Sequence, residues 1–264
     1  MVYRDREKSG GRIALIVQYD GTLYYGWQMQ AQGNTVQSEI ERALEILTKE
    51  DIRITAAGRT DSGVHALGQV VHFDLIKPIK LDKLCIALNG IMPFDVSINN
   101  AYYVPDDFHA RFDPVERKYR YLIYNNDLRN PFIKNRAMWL NKKIDPDYIK
   151  QTMNYLIGTH DFASFCKKAS ATEGTIRKIN SIKIENYNNL IEIEISGNAF
   201  LHHMIRIIVG TVIEMFFDGL PPDHIKDIIE KKDRDSAGKT APAYGLYLYE
   251  IIYNPQLSTY VSAF

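Results

Sequence analysis

The sequence predicts an α+β protein of two lobes, each built on a mainly antiparallel sheet, with a cleft between them. Two observations carry that expectation. The chain passes twice through strand, helix, strand, strand, helix and strand, and within each pass two strands follow one another without a helix, as antiparallel hairpins require. No low-complexity or Pro/Gly-rich linker separates the passes, so the lobes, 1–106 and 107–264, are expected to meet near Pro105-Asp106-Asp107.

Residues 12–19 (RIALIVQY) read as the first strand, closed by the turn chemistry of Asp20-Gly21. Asn34 and Thr35 are suitable caps for a helix whose apolar positions Val36, Ile40, Ala43, Leu44 and Leu47 fall on one face. Residues 52–57 alternate as a half-buried strand; 69–76 form another, 81–89 a short helix and 95–103 a further strand. In the second pass, 117–125 is a strand, 145–157 a helix, and 176–186 and 189–197 a pair of strands joined at Asn188-Asn189. A long helix over 199–217, a shorter one over 222–231 and a strand over 246–253 complete it. Each pass is a split βαβ unit of the ferredoxin-like or RNA-recognition-motif-like (RRM-like) kind.

Hydrophobic residues at 45% and charged residues at 24% suit a globular protein rather than a disordered one. With 32 basic and 32 acidic residues, net charge does not point to nucleic acid; a polyanion would have to be met by a local surface. Local clusters exist at Arg117, Lys118 and Arg120, at Lys167 and Lys168, at Arg177 and Lys178, and at Lys231, Lys232 and Arg234, though each alone reads as a solvated face. Cys85 and Cys166 lie far apart, which excludes a disulfide scaffold and the common zinc spacings. Residues 1–11 lack an apolar signal core, and the apolar run near 204–217 is too short to span a bilayer and carries Arg206 and Glu214. A cytoplasmic protein with no membrane association is expected. His72 alternates within its strand as a core residue, and no HExxH, nucleotide-binding glycine loop or nucleophile elbow occurs.

The segment Ala57-Gly58-Arg59-Thr60-Asp61-Ser62-Gly63-Val64-His65-Ala66 is the most informative. Glycines bracket an Arg-Thr-Asp turn, permitting unusual backbone angles and close approach of a ligand. Its bland alternative is a strand-to-helix turn with Asp61 as the helix cap. The helix 199–217 is apolar round much of its circumference yet contains His202, His203 and Arg206, with His202 and Arg206 four apart on one face. A buried guanidinium needs a carboxylate or several acceptors, and Asp61 is a candidate partner. In Arg117-Lys118-Tyr119-Arg120-Tyr121, alternation sets Arg117, Tyr119 and Tyr121 on one face and Lys118 and Arg120 on the other, aromatics interleaved with cations as suits base stacking and phosphate contact.

These motifs together resemble the tRNA pseudouridine synthase A family. Gly58–Ala66 is similar to its signature; Tyr19-Asp20-Gly21, Gly26-Trp27-Gln28 and Thr35-Val36-Gln37 look like its opening. Pro105–Phe112 and Lys118–Tyr121 resemble its central block, and Phe200–Arg206 and Ala241–Leu246 its later ones, in family order. The resemblance implies that Asp61 is the catalytic carboxylate and that Arg59 helps hold RNA with the target base turned out. It implies that Tyr119 stacks on the uracil and assists proton removal from C5, that Arg206 pairs with Asp61, and that Leu246 lines the base pocket. It further implies a homodimer acting on tRNA, without metal or cofactor, that converts uridine to pseudouridine at tRNA positions 38, 39 and 40. Such chemistry breaks the N1–C1′ bond and rejoins the ring through C5, with the carboxylate attacking sugar or base or removing a sugar proton. The competing reading is a non-catalytic RNA-binding protein of two RRM-like lobes, which leaves the Asp61 turn without a purpose.

Overall fold

A computed structural model describes residues 10–31, 33–167 and 174–263; Lys168 and most of the charged N-terminal stretch lie outside the described residues. The first elements are β1 (Gly11–Tyr19), α1 (Val36–Thr48), β2 (Thr55–Ala56), β3 (His65–Leu75), α2 (Leu81–Ile91) and β4 (Val96–Tyr103). Then come β5 (Glu116–Asn125), β6 (Met138–Leu140), α3 (Pro146–Asn154), β7 (Gly158–Asp161), β8 (Ile176–Tyr187) and β9 (Leu190–Gly197). The chain closes with α4 (Met204–Phe217), α5 (His224–Lys231) and β10 (Leu246–Ile252).

Backbone contacts divide this into two compact units: one runs to Val115 and takes in the chain from Leu248 onward, the other is Glu116–Tyr247. The expected extents, 1–106 and 107–264, differ in two ways. The join lies later, and the C-terminal segment returns to the first unit. Hydrogen bonds explain the return: Val115 N–H donates to Ile252 O (2.9 Å), Tyr103 N–H to Val261 O (3.1 Å) and Ala263 N–H to Ala101 O (2.9 Å). A partner chosen by backbone pairing at long range leaves little trace in local composition.

In the first unit the order is β4-β1-β3, all antiparallel, with β2 and β10 both along the outer side of β3. The β1α1β2β3α2β4 sequence with this order is the split βαβ arrangement expected. Thr35 caps α1 through a reciprocal pair with Ser38, and Val36, Ile40, Ala43 and Leu44 are buried on one face. The strand expected over 52–57 is reduced to Thr55–Ala56, because Glu41 Oε1 takes the Ile54 N–H (3.0 Å) that a ladder would use. β3 starts earlier than the expected 69–76, since Gly68 does not end the strand: a Cβ there would lie 2.5 Å from Tyr249 O, so the glycine admits the neighbouring backbone.

His72, on β3, accepts the Ala110 N–H at Nδ1 (3.1 Å) and meets Phe108 and His109 edge-on. Burial, with Arg12 and His109 nearby, lowers its pKa from 6.5 to about 4. Between these two values the unfolded chain binds a proton that the folded chain refuses, so stability is lost as pH falls through the window and is level below it. His72→Leu, which strips Ala110 of its acceptor, is expected to be less stable at pH 7. It should also lose less further stability between pH 6.5 and about 4 than the wild type does. Urea melts of both proteins across that range check this; parallel curves would mean that His72 does not carry the titration.

In the second unit the order is β5-β9-β8-β7, antiparallel throughout, with β6 parallel to β5. Asn188, at φ 58°, turns the β8–β9 hairpin where Asn188-Asn189 is expected to. β6 and β7 are unanticipated: at three and four residues, each is shorter than a periodicity can reveal. Helix α4 is buried on nearly every side, as its composition requires, but it begins at Met204 rather than 199. His203, in the left-handed conformation at φ 66°, stops the helix from extending backward. Both cysteines are free and buried, and no helix among the described residues is long and apolar enough to cross a membrane.

Candidate active site

Asp61 occupies the first position of a β-turn, closed by the Val64 N–H on Asp61 O (3.1 Å), with Gly63 at φ 78° in the third position. The turn leads into strand β3, so Asp61 is not the cap of a helix. Its neighbours are fastened one by one. Gly58 O accepts from Gln69 Nε2 (2.7 Å), Thr60 O accepts from the Trp27 N–H (3.1 Å), and Ser62 Oγ donates to Tyr24 O (3.1 Å). Thr60 Oγ1 and the Tyr19 hydroxyl share a buried hydrogen bond of 2.8 Å. Asp61 itself is half-buried, Arg59 is exposed and Thr60 is buried, so the segment alternates between gripping the unit and presenting side chains.

The support beneath the turn comes from residues 19–28. Trp27 is buried against Tyr19, with ring centroids 5.8 Å apart, and Trp27 O accepts the Gln37 N–H at the start of α1 (3.1 Å). Gly26, at φ 91°, passes so close that a Cβ would lie 2.7 Å from Thr60 O and 3.1 Å from Ser62 N. These residues stand in the sequence as a family-like opening block with no assigned task. Their task is mechanical: they are the floor on which the Asp61 turn rests.

The other three expected site residues belong to the second unit. Tyr119 is buried on β5 and meets the Phe200 ring edge-on, centroids 5.2 Å apart. Arg206, half-buried in the first turn of α4, donates from Nε to Ala241 O (2.9 Å), while Ala241 N–H donates back to Arg206 O (3.0 Å). The segment continues along the helix: Gly238 N–H donates to Thr211 Oγ1 (2.9 Å) and Lys239 N–H to Glu214 Oε2 (3.0 Å). Next to it, Pro242 O accepts from the Tyr121 hydroxyl (2.9 Å), and a Cβ on Gly245 would lie 2.7 Å from that ring. Leu246, buried, follows immediately. Strand β5 and helix α4 thus hold the 238–246 segment between them and bring Tyr119, Arg206 and Leu246 into one framework. Burial raises the Tyr121 phenol far above its ordinary pKa, so it stays a neutral donor.

Two expectations change here. His202 precedes α4, so it does not share a helical face with Arg206; its carbonyl instead accepts the Lys167 N–H (3.2 Å). On β5, Arg120 is bound by Glu192 (3.2 Å) and Glu194 (2.9 Å), so it serves the sheet rather than standing ready for a phosphate.

A family model described as tRNA pseudouridine synthase matches residues 15–113 and 152–254. The chain belongs to the tRNA pseudouridine synthase family. The tRNA pseudouridine synthase A of Acetivibrio thermocellus is 42% identical over 241 residues, covering 91% of this chain and 99% of that protein. Those of Bacillus pumilus (41% over 245 residues, 92% and 99% covered) and Aliivibrio fischeri (42% over 242 residues, 92% of each) are similar to the same extent. A solved structure titled as a Cbf5–Nop10–Gar1 complex is matched at a TM-score of 0.37 and 11% identity, over 85% of this chain and 69% of that one. Within the family frame, Arg59, Asp61, Arg206 and Leu246 lie in matched residues, together with Tyr19, Gly26, Trp27 and Gln69. Tyr119 lies in 114–151, between the matched spans.

Proposed function

We propose that this member of the tRNA pseudouridine synthase family converts uridine to pseudouridine in the tRNA anticodon stem-loop, at positions 38, 39 and 40, with Asp61 as the catalytic carboxylate. The observation that carries the reading is the Asp61 turn, whose flanking residues are each tied down while the aspartate stays at the half-buried surface. Fixing a reacting group in advance supplies much of what an enzyme contributes to such a step. The reaction is an isomerisation: the N1–C1′ bond breaks, C5–C1′ forms, and a proton passes from C5 to solvent while N1 gains one. No electron is exchanged with a cofactor.

Arg59, Tyr119, Arg206 and Leu246 are the proposed substrate-binding residues. Arg59 is exposed on the catalytic turn, where a cation favours phosphate. Tyr119 and Leu246 offer an aromatic and an aliphatic surface of the kind an extruded base requires, and Arg206 a cation fixed by Ala241. The working state is proposed to be a cytoplasmic homodimer, since a tRNA is long compared with one such subunit.

Incubation with unmodified tRNA, without metal or cofactor, tests the activity. Pseudouridine is read by base-specific labelling and reverse-transcriptase stops. Product at 38, 39 or 40 is expected. A well-folded protein that binds tRNA and makes none would favour RNA binding without catalysis.

A further inference from the structure

The connection from β5 through β6 to α3 has a character that the proposed chemistry does not use. Residues 126–143 hold Arg129, Lys134, Arg136, Lys142 and Lys143 against the single acid Asp127, in a chain of zero net charge. All five cations are exposed. Among them Phe132 is 92% exposed and Leu128 77%, and Trp139 stands partly out of the surface. Large apolar side chains held that far into water contribute nothing to a core. The stretch also lies wholly within 114–151, between the two spans matched to the family.

Its backbone, in contrast, is built. Asn125 Nδ2 donates to Leu140 O (3.0 Å) and Lys142 O (2.7 Å), and Asn126 N–H donates to Leu140 O (3.2 Å). Asn130 caps a short 3-10 turn at Pro131–Ile133 through the Phe132 N–H (3.0 Å), which holds the backbone that carries Phe132. Arg136 O accepts from the Tyr247 hydroxyl (2.7 Å). Trp139 is oriented by its Nε1–H on Asn126 O (2.8 Å), and the Arg129 guanidinium lies 6.0 Å from the centre of its ring. Lys142 lies 5.7 Å from the Phe217 ring. A fixed loop that shows an aromatic face, a Trp–Arg pair and an excess of four positive charges is complementary to a polyanion with stackable bases.

We infer that residues 126–143 form an RNA-gripping surface, in which Phe132 stacks on an unpaired base and Arg129, Lys134 and Arg136 contact phosphates. This rests on the reading that RNA is the substrate, and it adds a contact that the catalytic residues do not supply. Anisotropy of labelled, unmodified tRNA, titrated with the full chain at several salt concentrations, is the test. The joint replacement Arg129→Gln, Lys134→Gln and Arg136→Gln is expected to weaken binding at least tenfold near 0.1 M salt. It should also flatten the slope of log K against log salt by about 2 to 3, at roughly 0.7 to 0.9 per phosphate contact. Phe132→Ala is expected to weaken binding about five- to a hundredfold with the slope unchanged, because stacking releases no counterions. Turnover at saturating tRNA should stay within twofold of wild type in both, and circular dichroism melts should match. Wild-type affinity and salt slope in both variants, with wild-type enzyme active, overturn the inference alone. Loss of a dimer in sedimentation with tRNA affinity intact overturns it in favour of a contact between copies. Failure of the wild type itself to bind or modify tRNA removes both this inference and the proposed function.

Discussion

Asp61→Asn is expected to fold and bind tRNA as the wild type does, and to form pseudouridine at least about a thousandfold more slowly. Asparagine has the shape of aspartate, but its amide is neither a nucleophile nor a base at neutral pH. Each of the routes open to this chemistry requires the carboxylate. The fold of the turn does not depend on that change in the same way. Its closing bond is backbone to backbone, from Val64 N–H to Asp61 O, and its anchors run through Gly58, Thr60 and Ser62. Thermal melting, tRNA affinity and single-turnover rate, measured on the same preparations, separate the two roles. A melting temperature that collapses while activity per folded molecule persists would assign Asp61 to structure. Asp61→Glu sharpens the distinction. It keeps the charge but moves it by one methylene, and a displacement of about 1 Å at a reacting group costs on the order of a hundredfold.

How much of this was legible beforehand depends on the range over which each feature is determined. The faces of α1 and α4, and the strands β1, β4, β5, β8 and β9, are set by local alternation and 3.6-residue spacing, and both are visible in the residues themselves. What escaped was decided by partners far away in sequence. Glu41 replaces a strand bond at Ile54; the 238–241 segment lies along α4 because Arg206, Thr211 and Glu214 receive it; the C-terminal chain returns to the first unit. The site follows the same rule. Asp61 and Arg59 stand out between glycines, whereas of the parts that fix them Tyr19 and Trp27 are ordinary core residues by composition, and Gln69 is a polar residue whose burial the sequence does not show. Only their hydrogen bonds to Thr60 and Gly58 reveal the work they do, and Gly26 shows itself only when the empty position of its Cβ is filled.

Gly26→Ala is accordingly expected to damage both the stability of the fold and the set position of Asp61. Two costs combine. The φ of 91° lies where an L-residue is strained by roughly 1 to 2 kcal/mol, and the new methyl would lie 2.7 Å from Thr60 O, with overpacking of this kind costing about 1 to 3 kcal/mol. The atoms in the way are backbone: Thr60 O, Ser62 N at 3.1 Å and the Asp61 carbonyl carbon at 3.2 Å, so no side-chain rotation relieves the clash. Relief must come either from opening the Trp27–Thr60 hydrogen bond or from moving the Asp61 turn, and both separate the carboxylate from its set position. The expected result is a loss of about 2 to 5 kcal/mol in urea denaturation together with a drop of at least about a hundredfold in turnover by the folded fraction. Gly90→Ala supplies the contrast. Near the end of α2 with nothing within 4 Å of the new methyl, it should leave activity intact and gain up to about 1 kcal/mol from the lower chain entropy of the unfolded state. A Gly26→Ala protein that melts and turns over like the wild type would show that the turn tolerates displacement, and that the rigid floor formed by residues 19–28 is not what holds Asp61 ready.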